Sequence, residues 1–306
     1  MAEASDTQRP ASVTVIIPTH NRREKLLECL SQVVCLDGAT IIPVVVFDGC
    51  TDGSVEAVAL EFPSVIRVLG DGNLWWSGAI DAGIEAAQAL NADYYCLLND
   101  DVIPDIHMVK ALLQAEKSNR GALIGSMICF LRDRERIWCA GGYSNWLGSG
   151  VTMRGNGGKI GPEWEEIAEV QWLPGMGTLI SRDVIERIGN MDQLAFPQYF
   201  GDTDFSLRAH RAGIRVMVCP DAVLYNDVES TGVLLPSGAI TWAIARNVLF
   251  SMRSHANMKI RLRFWLRHCP LPLVPWQVTR FYLPLFAVIT KKMTWDRLPW
   301  SRKSLT

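Results

Sequence analysis

An α/β fold built on a doubly wound, mostly parallel sheet is predicted for this 306-residue chain by three observations. Apolar, β-branched runs recur through its first third, each followed by a polar turn and a segment with apolar residues at helical spacing, the alternation of a parallel sheet. These runs are apolar throughout rather than every second residue, as in strands covered on both faces. At 49% hydrophobic residues, a chain of this length can bury a full core.

Val13 to Ile17 is the first strand, closed by Pro18-Thr19-His20-Asn21-Arg22, and Arg23 to Val34, with leucines at 26, 27 and 30, is its helix. A dinucleotide site would place GxGxxG in that turn, which has no glycine. The turn offers a hydroxyl, an amide and a guanidinium, suited to a ribose, a base edge or a phosphate; Thr19 or Asn21 capping the helix is the alternative. Thr40 to Phe47 is the second strand. Asp48 at its end can accept a hydrogen bond from a pyrimidine N3–H or a ribose hydroxyl, while Thr51 and Asp52 suit a turn and cap for a helix at Val55 to Glu61. Ser64 to Leu69 leads into Gly70-Asp71-Gly72-Asn73-Leu74-Trp75-Trp76-Ser77-Gly78 and a helix at Ala79 to Leu90. Of two tryptophans in a glycine-rich turn, one is expected in a ligand cleft and the other in the core, burial of both being the alternative.

The fourth strand, Tyr94-Tyr95-Cys96-Leu97-Leu98, ends in Asn99-Asp100-Asp101. Open α/β sheets bind ligands at the carboxyl ends of their strands. Adjacent carboxylates there suit a magnesium or manganese ion carried with a phosphate-bearing substrate. The alternative is a cap, Asp101 or Asp105, for the segment Ile106 to Ser118. Ala122 to Phe130 and Arg136 to Ala140 read as further strands, and Gly141 to Gly161 as a long loop of the kind that forms lids or stays disordered. A strand resumes from Val170 through the bend Pro174-Gly175-Met176-Gly177 to Ile180. Asp202 and Asp204 open a helix, where carboxylates are favoured as caps; Asp204 should pair with Arg208 four residues on, leaving Asp202 the freer group. Arg215 to Tyr225 closes the sheet.

The eight cysteines include no CxxC pair and several lie inside apolar runs, as expected for reduced thiols of a cytoplasmic protein. The amino terminus lacks an apolar signal segment, which points the same way. The net charge of −2 hides a division: residues 1–245 carry 18 Lys and Arg against 31 Asp and Glu, residues 246–306 carry 12 against 1. An acidic body makes nucleic acid an unexpected partner. In the basic tail, the longest apolar run, Phe281 to Thr290, is too short to span a bilayer. Arg261, Arg263 and Arg267, interleaved with Leu262, Phe264, Trp265 and Leu266, read as a segment lying on an anionic membrane; packing on the acidic body or on a second copy is the alternative.

From Val13 to Arg253 the chain resembles the inverting, nucleotide-sugar-dependent family 2 glycosyltransferases with the GT-A fold, and within them the rhamnosyltransferase-like enzymes of bacterial surface polysaccharide assembly. The resemblance rests on VIIPTHNR, FDGCTDGS, GDGNLWWSGAIDAGI, LLNDDV, PGMGTLIS, IGNMDQLAFPQYFGDTDFSLRAHRAG and ARNVLF, in that order. It implies a GT-A domain over 1–245, with a nucleotide-binding half at 13–104 and an acceptor half at 105–245, and a basic helical appendage at 246–306. It implies that Pro18, Thr19, Asn21, Asp48, Asn73, Trp76, Asn99 and Asp100 bind the donor, a dTDP- or UDP-sugar with rhamnose among the candidates. Asp101 would hold Mg2+ or Mn2+, Asp202 would be the catalytic base, and Trp172, Pro174, Gly175 and Asp204 would face a glycan or lipid-linked acceptor at the inner face of the cytoplasmic membrane. Two positions depart from the family: Gly201 stands where glutamate is common before the base, and Asn226 where a histidine often completes the metal site, leaving Asn226, Asp227 or the diphosphate to do so. A sugar-phosphate nucleotidyltransferase would want a glycine-rich, basic loop after the first strand, which PTHNR does not supply. A non-catalytic glycan-binding relative is attractive only without Asp101 or Asp202.

Overall fold

A computed structural model describes residues 9–228 and 238–294. The amino-terminal half follows the predicted alternation: β1 (Ser12–Thr19), α1 (Arg23–Val33), β2 (Thr40–Asp48), α2 (Ser54–Glu61), β3 (Ile66–Gly70), α3 (Trp75–Ala89) and β4 (Tyr94–Leu97). β5 (Val102–Pro104), α4 (Met108–Ser118), β6 (Leu123–Phe130) and β7 (Ile137–Cys139) follow. Then come β8 (Gly142–Asn145), β9 (Gly150–Met153), β10 (Ala168–Glu169), β11 (Thr178–Ser181), α5 (Arg182–Ile188), α6 (Gly201–Arg211) and β12 (Val216–Asn226). Three more helices, α7 (Trp242–Phe250), α8 (Met258–His268) and α9 (Val274–Thr294), lie beyond residue 240.

The sheet runs β10-β12-β6-β11-β4-β1-β2-β3. β3, β2, β1 and β4 are parallel, β11 is antiparallel to β4 and to β6, and β12 is parallel to β6. Alternation within β1 divides the core: Val13, Val15 and Ile17 pack with α1, α2 and α4, and Ile16 packs with α3, α5 and α6 on the opposite face. All eight cysteines are free, six of them buried.

Two expectations change. α3 begins at Trp75 rather than Ala79, because the Asp48 carboxylate accepts from Trp75 N–H at 3.0 Å and serves, from a distant strand, one of the amides a helix start leaves unpaired. The segment from Gly141 is an ordered hairpin, β8 pairing antiparallel with β9, and its strand Gly142 is bonded to Trp172. The change in charge at 245/246 does not coincide with an element boundary, since α7 runs across it.

The last three helices share a core with the body. Phe264, Trp265 and Tyr282 pack in one cluster with Trp172, Phe196 and Leu207. The helical period therefore splits the basic stretch expected to lie outward. Arg261 is buried over the Phe281 ring at 3.7 Å, and burial pulls its guanidinium down to about 10. Arg267 pairs with Asp192 and Asp204, while Leu262, Arg263 and Leu266 face out. Asp204 itself is sealed: its carboxylate meets Arg208 (2.9 Å), Arg267 (3.2 Å) and His268 Nε2 (2.7 Å). Burial raises its pKa, but the bonds from His268 and Arg208 outweigh that and leave it below the ordinary value. Removing one member of such a network strands the others, so Asp204→Ala is expected to cost about 3 kcal/mol. For a domain of this size that lowers Tm by roughly 6 to 10 °C, read by circular dichroism; an unchanged Tm would show that the network contributes nothing.

Candidate active site

One open cavity of about 850 Å³ lies at the carboxyl ends of β1, β2 and β4. Its floor is the first turn. Thr19 Oγ1 donates to Asp100 Oδ2 at 2.7 Å, and the Arg22 guanidinium bridges Asp100 Oδ1 and Asp101 Oδ2, each at 2.9 Å. Burial pushes the Asp100 carboxyl up to about 6; Arg22 opposes that rise and the neighbouring charge of Asp101 adds to it. Neither carboxylate is a helix cap, since α4 has His107 at its N-cap position and no side-chain cap bond. Asn21 Oδ1 accepts from Thr51 N–H at 2.7 Å, tying this turn to the loop after β2.

Asp48 builds the next wall. It accepts from Gly72 N–H (2.7 Å) and Trp75 N–H (3.0 Å), fixing the loop that carries both tryptophans. Trp75 and Trp76 both line the cavity, where one had been expected in the core. Trp76 donates from Nε1 to Asn99 Oδ1 at 3.0 Å. Its ring lies so close to Gly175 that a Cβ there would sit 2.1 Å from it, so the PGMG bend is glycine where the backbone meets this indole.

The opposite wall is the start of α6. Asp202 accepts from Gly175 N–H (2.9 Å) and from Thr203 N–H (2.6 Å). Desolvation raises its pKa despite those bonds. The N-cap of α6 is Phe200, in the left-handed region, with no side-chain cap bond. Gly201 has a local cause: a Cβ would stand 2.1 Å from Ser77 Oγ, which is itself held on Phe196 C=O.

Pro18, Thr19, Asn21, Asp48, Trp76, Asn99, Asp100, Asp101, Gly175 and Asp202 thus line one cavity. Four expected residues do not. Asn73 is exposed outside it, Pro174 is buried at the start of the bend, and Trp172 is buried with its indole N–H on Thr152 C=O. Asp204, two residues on from Asp202 along α6, points into the buried network with α8. Sequence reasoning had Arg22 only as a generic guanidinium and missed Gln198, Tyr199, Phe200 and Arg253, all in the lining. Four described non-glycine residues have positive φ, and three of them, Asn21, Trp75 and Phe200, line this cavity. Backbone strain of that kind concentrates at ligand sites.

Among the described residues no three His, Cys, Asp or Glu converge on a metal position. Asn226 is buried beside β5 and outside the cavity lining, and Asp227 pairs with Lys25 at 2.7 Å. One oxygen does fit a hard cation: Asp101 Oδ1 is buried, with no hydrogen-bond partner. A divalent ion held there would draw its remaining ligands from a diphosphate and water.

A family model described as "Glycosyltransferase like family 2" matches residues 10–247. Among solved structures, GalNAc-T7 with UDP, GalNAc and Mn2+ superposes with a TM-score of 0.58 at 14% identity, over 78% of this chain and 48% of that one. The mannosyltransferase PcManGT from Pyrobaculum calidifontis, in complex with GDP-Man and Mn2+, gives 0.53 at 16% identity, over 94% and 85%. The chain therefore spans about half the length of the first of these. No curated protein matches it by sequence. At such identities the likeness is one of fold, and the mixed, mostly parallel sheet flanked by helices is the GT-A arrangement.

Proposed function

The chain belongs to the glycosyltransferase-like family 2, and from that premise we propose that it moves a sugar from a nucleoside-diphosphate donor to an acceptor hydroxyl by single displacement, with inversion. One observation carries the reading: Asp101 and Asp202, a hundred residues apart in the chain, open onto the same cavity. A divalent cation at Asp101 would neutralise charge growing on the departing diphosphate. The protein's own residues do the rest. Thr19 and Arg22 hold Asp100 and Asp101 in place, and Asn21, Asp48, Trp76 and Asn99 shape the donor side. Across the cavity, Asp202 takes the proton of the acceptor hydroxyl as its oxygen closes on the anomeric carbon from the face opposite the diphosphate. Its raised pKa makes it a better base than an ordinary carboxylate.

The test is release of nucleoside diphosphate from a panel of UDP-, dTDP- and GDP-sugars with Mn2+. Release of pyrophosphate from a nucleoside triphosphate instead, or of neither product, would reject the transferase.

An anionic bilayer is the surface proposed for the last three helices. Each exposes an apolar and basic stripe: Trp242, Arg246 and Phe250 on α7, Leu262, Arg263 and Leu266 on α8, Trp276, Arg280 and Leu283 on α9. No carboxylate occurs from 242 to 294, whereas the body is strongly acidic, so the charge complements a lipid headgroup layer. No described helix is long and apolar enough to cross a membrane. Replacing Leu262 and Leu266 together by glutamate is expected to weaken co-sedimentation with phosphatidylglycerol vesicles by about tenfold or more. Unchanged binding, or wild-type dimerisation lost in the variant, would reassign the face to another partner.

A further inference from the structure

Arg22 and Arg253 are the two cationic side chains in the cavity lining, and their situations differ. The charge of Arg22 is spent on Asp100 and Asp101. The Arg253 guanidinium makes no hydrogen bond or ion pair among the described residues, and its own stretch of chain, 242–294, offers no carboxylate. The side chain is exposed, but the backbone that carries it is held at a fixed place. The loop between α7 and α8 is pinned by Asn257, 5% exposed, whose side-chain amide donates to Phe250 C=O and Ser251 C=O, and by Ser254, 2% exposed, which donates to Val248 C=O. Tyr282 donates to Ala256 C=O at its far side. At the cavity rim Tyr199 Oη–H donates to Arg253 C=O at 3.2 Å, and Tyr199 stands three residues before Asp202. Buried polar side chains thus hold a loop whose outward product is one uncompensated cation on the Asp202 wall.

We propose that Arg253 is a phosphate-binding residue of this cavity, engaging an anionic phosphate group on the acceptor. The inference rests on the transferase reading for its choice of side. A cation beside the stretch that carries Asp202 is of no use to a neutral hydroxyl alone, but it would orient an acceptor that carries a phosphate near its reacting end. The same chemistry could come from the diphosphate of the donor, and the test separates the two sources.

The full chain and its Arg253→Gln and Arg253→Lys variants are first titrated with UDP, dTDP and GDP in Mn2+, following the intrinsic tryptophan fluorescence, to which Trp75 and Trp76 of the cavity contribute. Inorganic phosphate is then titrated into protein saturated with whichever nucleotide binds. The expected result is that Arg253→Gln leaves nucleotide affinity unchanged and weakens phosphate about tenfold, the size of one charge-assisted hydrogen bond, with Arg253→Lys between. Weakened nucleotide binding with no phosphate bound above it would move the arginine to the donor diphosphate and overturn the acceptor assignment. Equal affinities throughout would remove Arg253 from phosphate binding altogether. If no nucleotide binds any of the three proteins, the transferase reading fails, and phosphate titrated into nucleotide-free protein still reads Arg253 by the same comparison.

Discussion

Asp202→Asn is expected to cut turnover by about 10² to 10⁴, the range a positioned carboxylate base supplies, and to leave nucleotide affinity as it was. Asparagine keeps the shape and one acceptor oxygen, so the bond from Gly175 N–H or that from Thr203 N–H can persist. What it loses is the capacity to take a proton. The pH profile supplies a second reading with a definite sign. Burial raises the pKa of Asp202, so the acid limb of kcat/KM should fall above the ordinary carboxylate value of 3.8 and activity should rise with pH through it. Linkage gives the stability side. A raised folded-state pKa means that the favourable contribution is complete below the unfolded value and is lost as pH rises through the folded one. The ionised form of Asp202 is therefore the costly one, and removing the charge offsets the lost hydrogen bond. Turnover should collapse with Tm nearly unchanged. Full turnover in the variant would take Asp202 out of the base role, and a large fall in Tm would turn the result into one of folding.

Asp101→Ala is expected to abolish the Mn2+ dependence of nucleotide binding and to lower turnover by about 10² to 10³, a few kcal/mol of lost charge stabilisation. The partnerless Asp101 Oδ1 is the oxygen this prediction rests on. Arg22 complicates it usefully. Because its guanidinium lies across Asp100 and Asp101, a cation must share those carboxylates with it, and the alanine variant leaves Arg22 to Asp100 alone. Calorimetric titration of UDP, dTDP and GDP, with and without Mn2+, measures the difference; the same Mn2+ effect in both proteins would place the metal elsewhere.

The sheet was legible because its strands are locally written: Val13 to Ile17 and Thr40 to Phe47 are β-branched runs ending in turn residues, and burial on both faces permits little else there. Helices with apolar periodicity, such as Met108 to Ser118, were legible for the same reason. What escaped depended on residues far apart in the chain. The start of α3 is set by Asp48, 27 residues upstream of Trp75. The bridging role of Arg22 needs β4 beside β1. Pro174 and Asp204 sit within two residues of cavity-lining groups and Trp172 within three, yet the local backbone turns them into the core, a distinction spacing alone does not make. Arg253 carries no local signal; only the docking of α7 and α8 brings it to the rim.

The seam between α6 and α8 gives the basic tail a second constraint. Arg267 and His268 close around Asp204 on the same helix that presents Asp202, so the tail is a buttress of the reacting wall as well as a surface toward the outside. A change in α8 is therefore read twice, once by whatever the exposed face rests on and once by the alignment of a carboxylate it never touches. A helix free to drift toward any greasy, positive sequence would lose that alignment first.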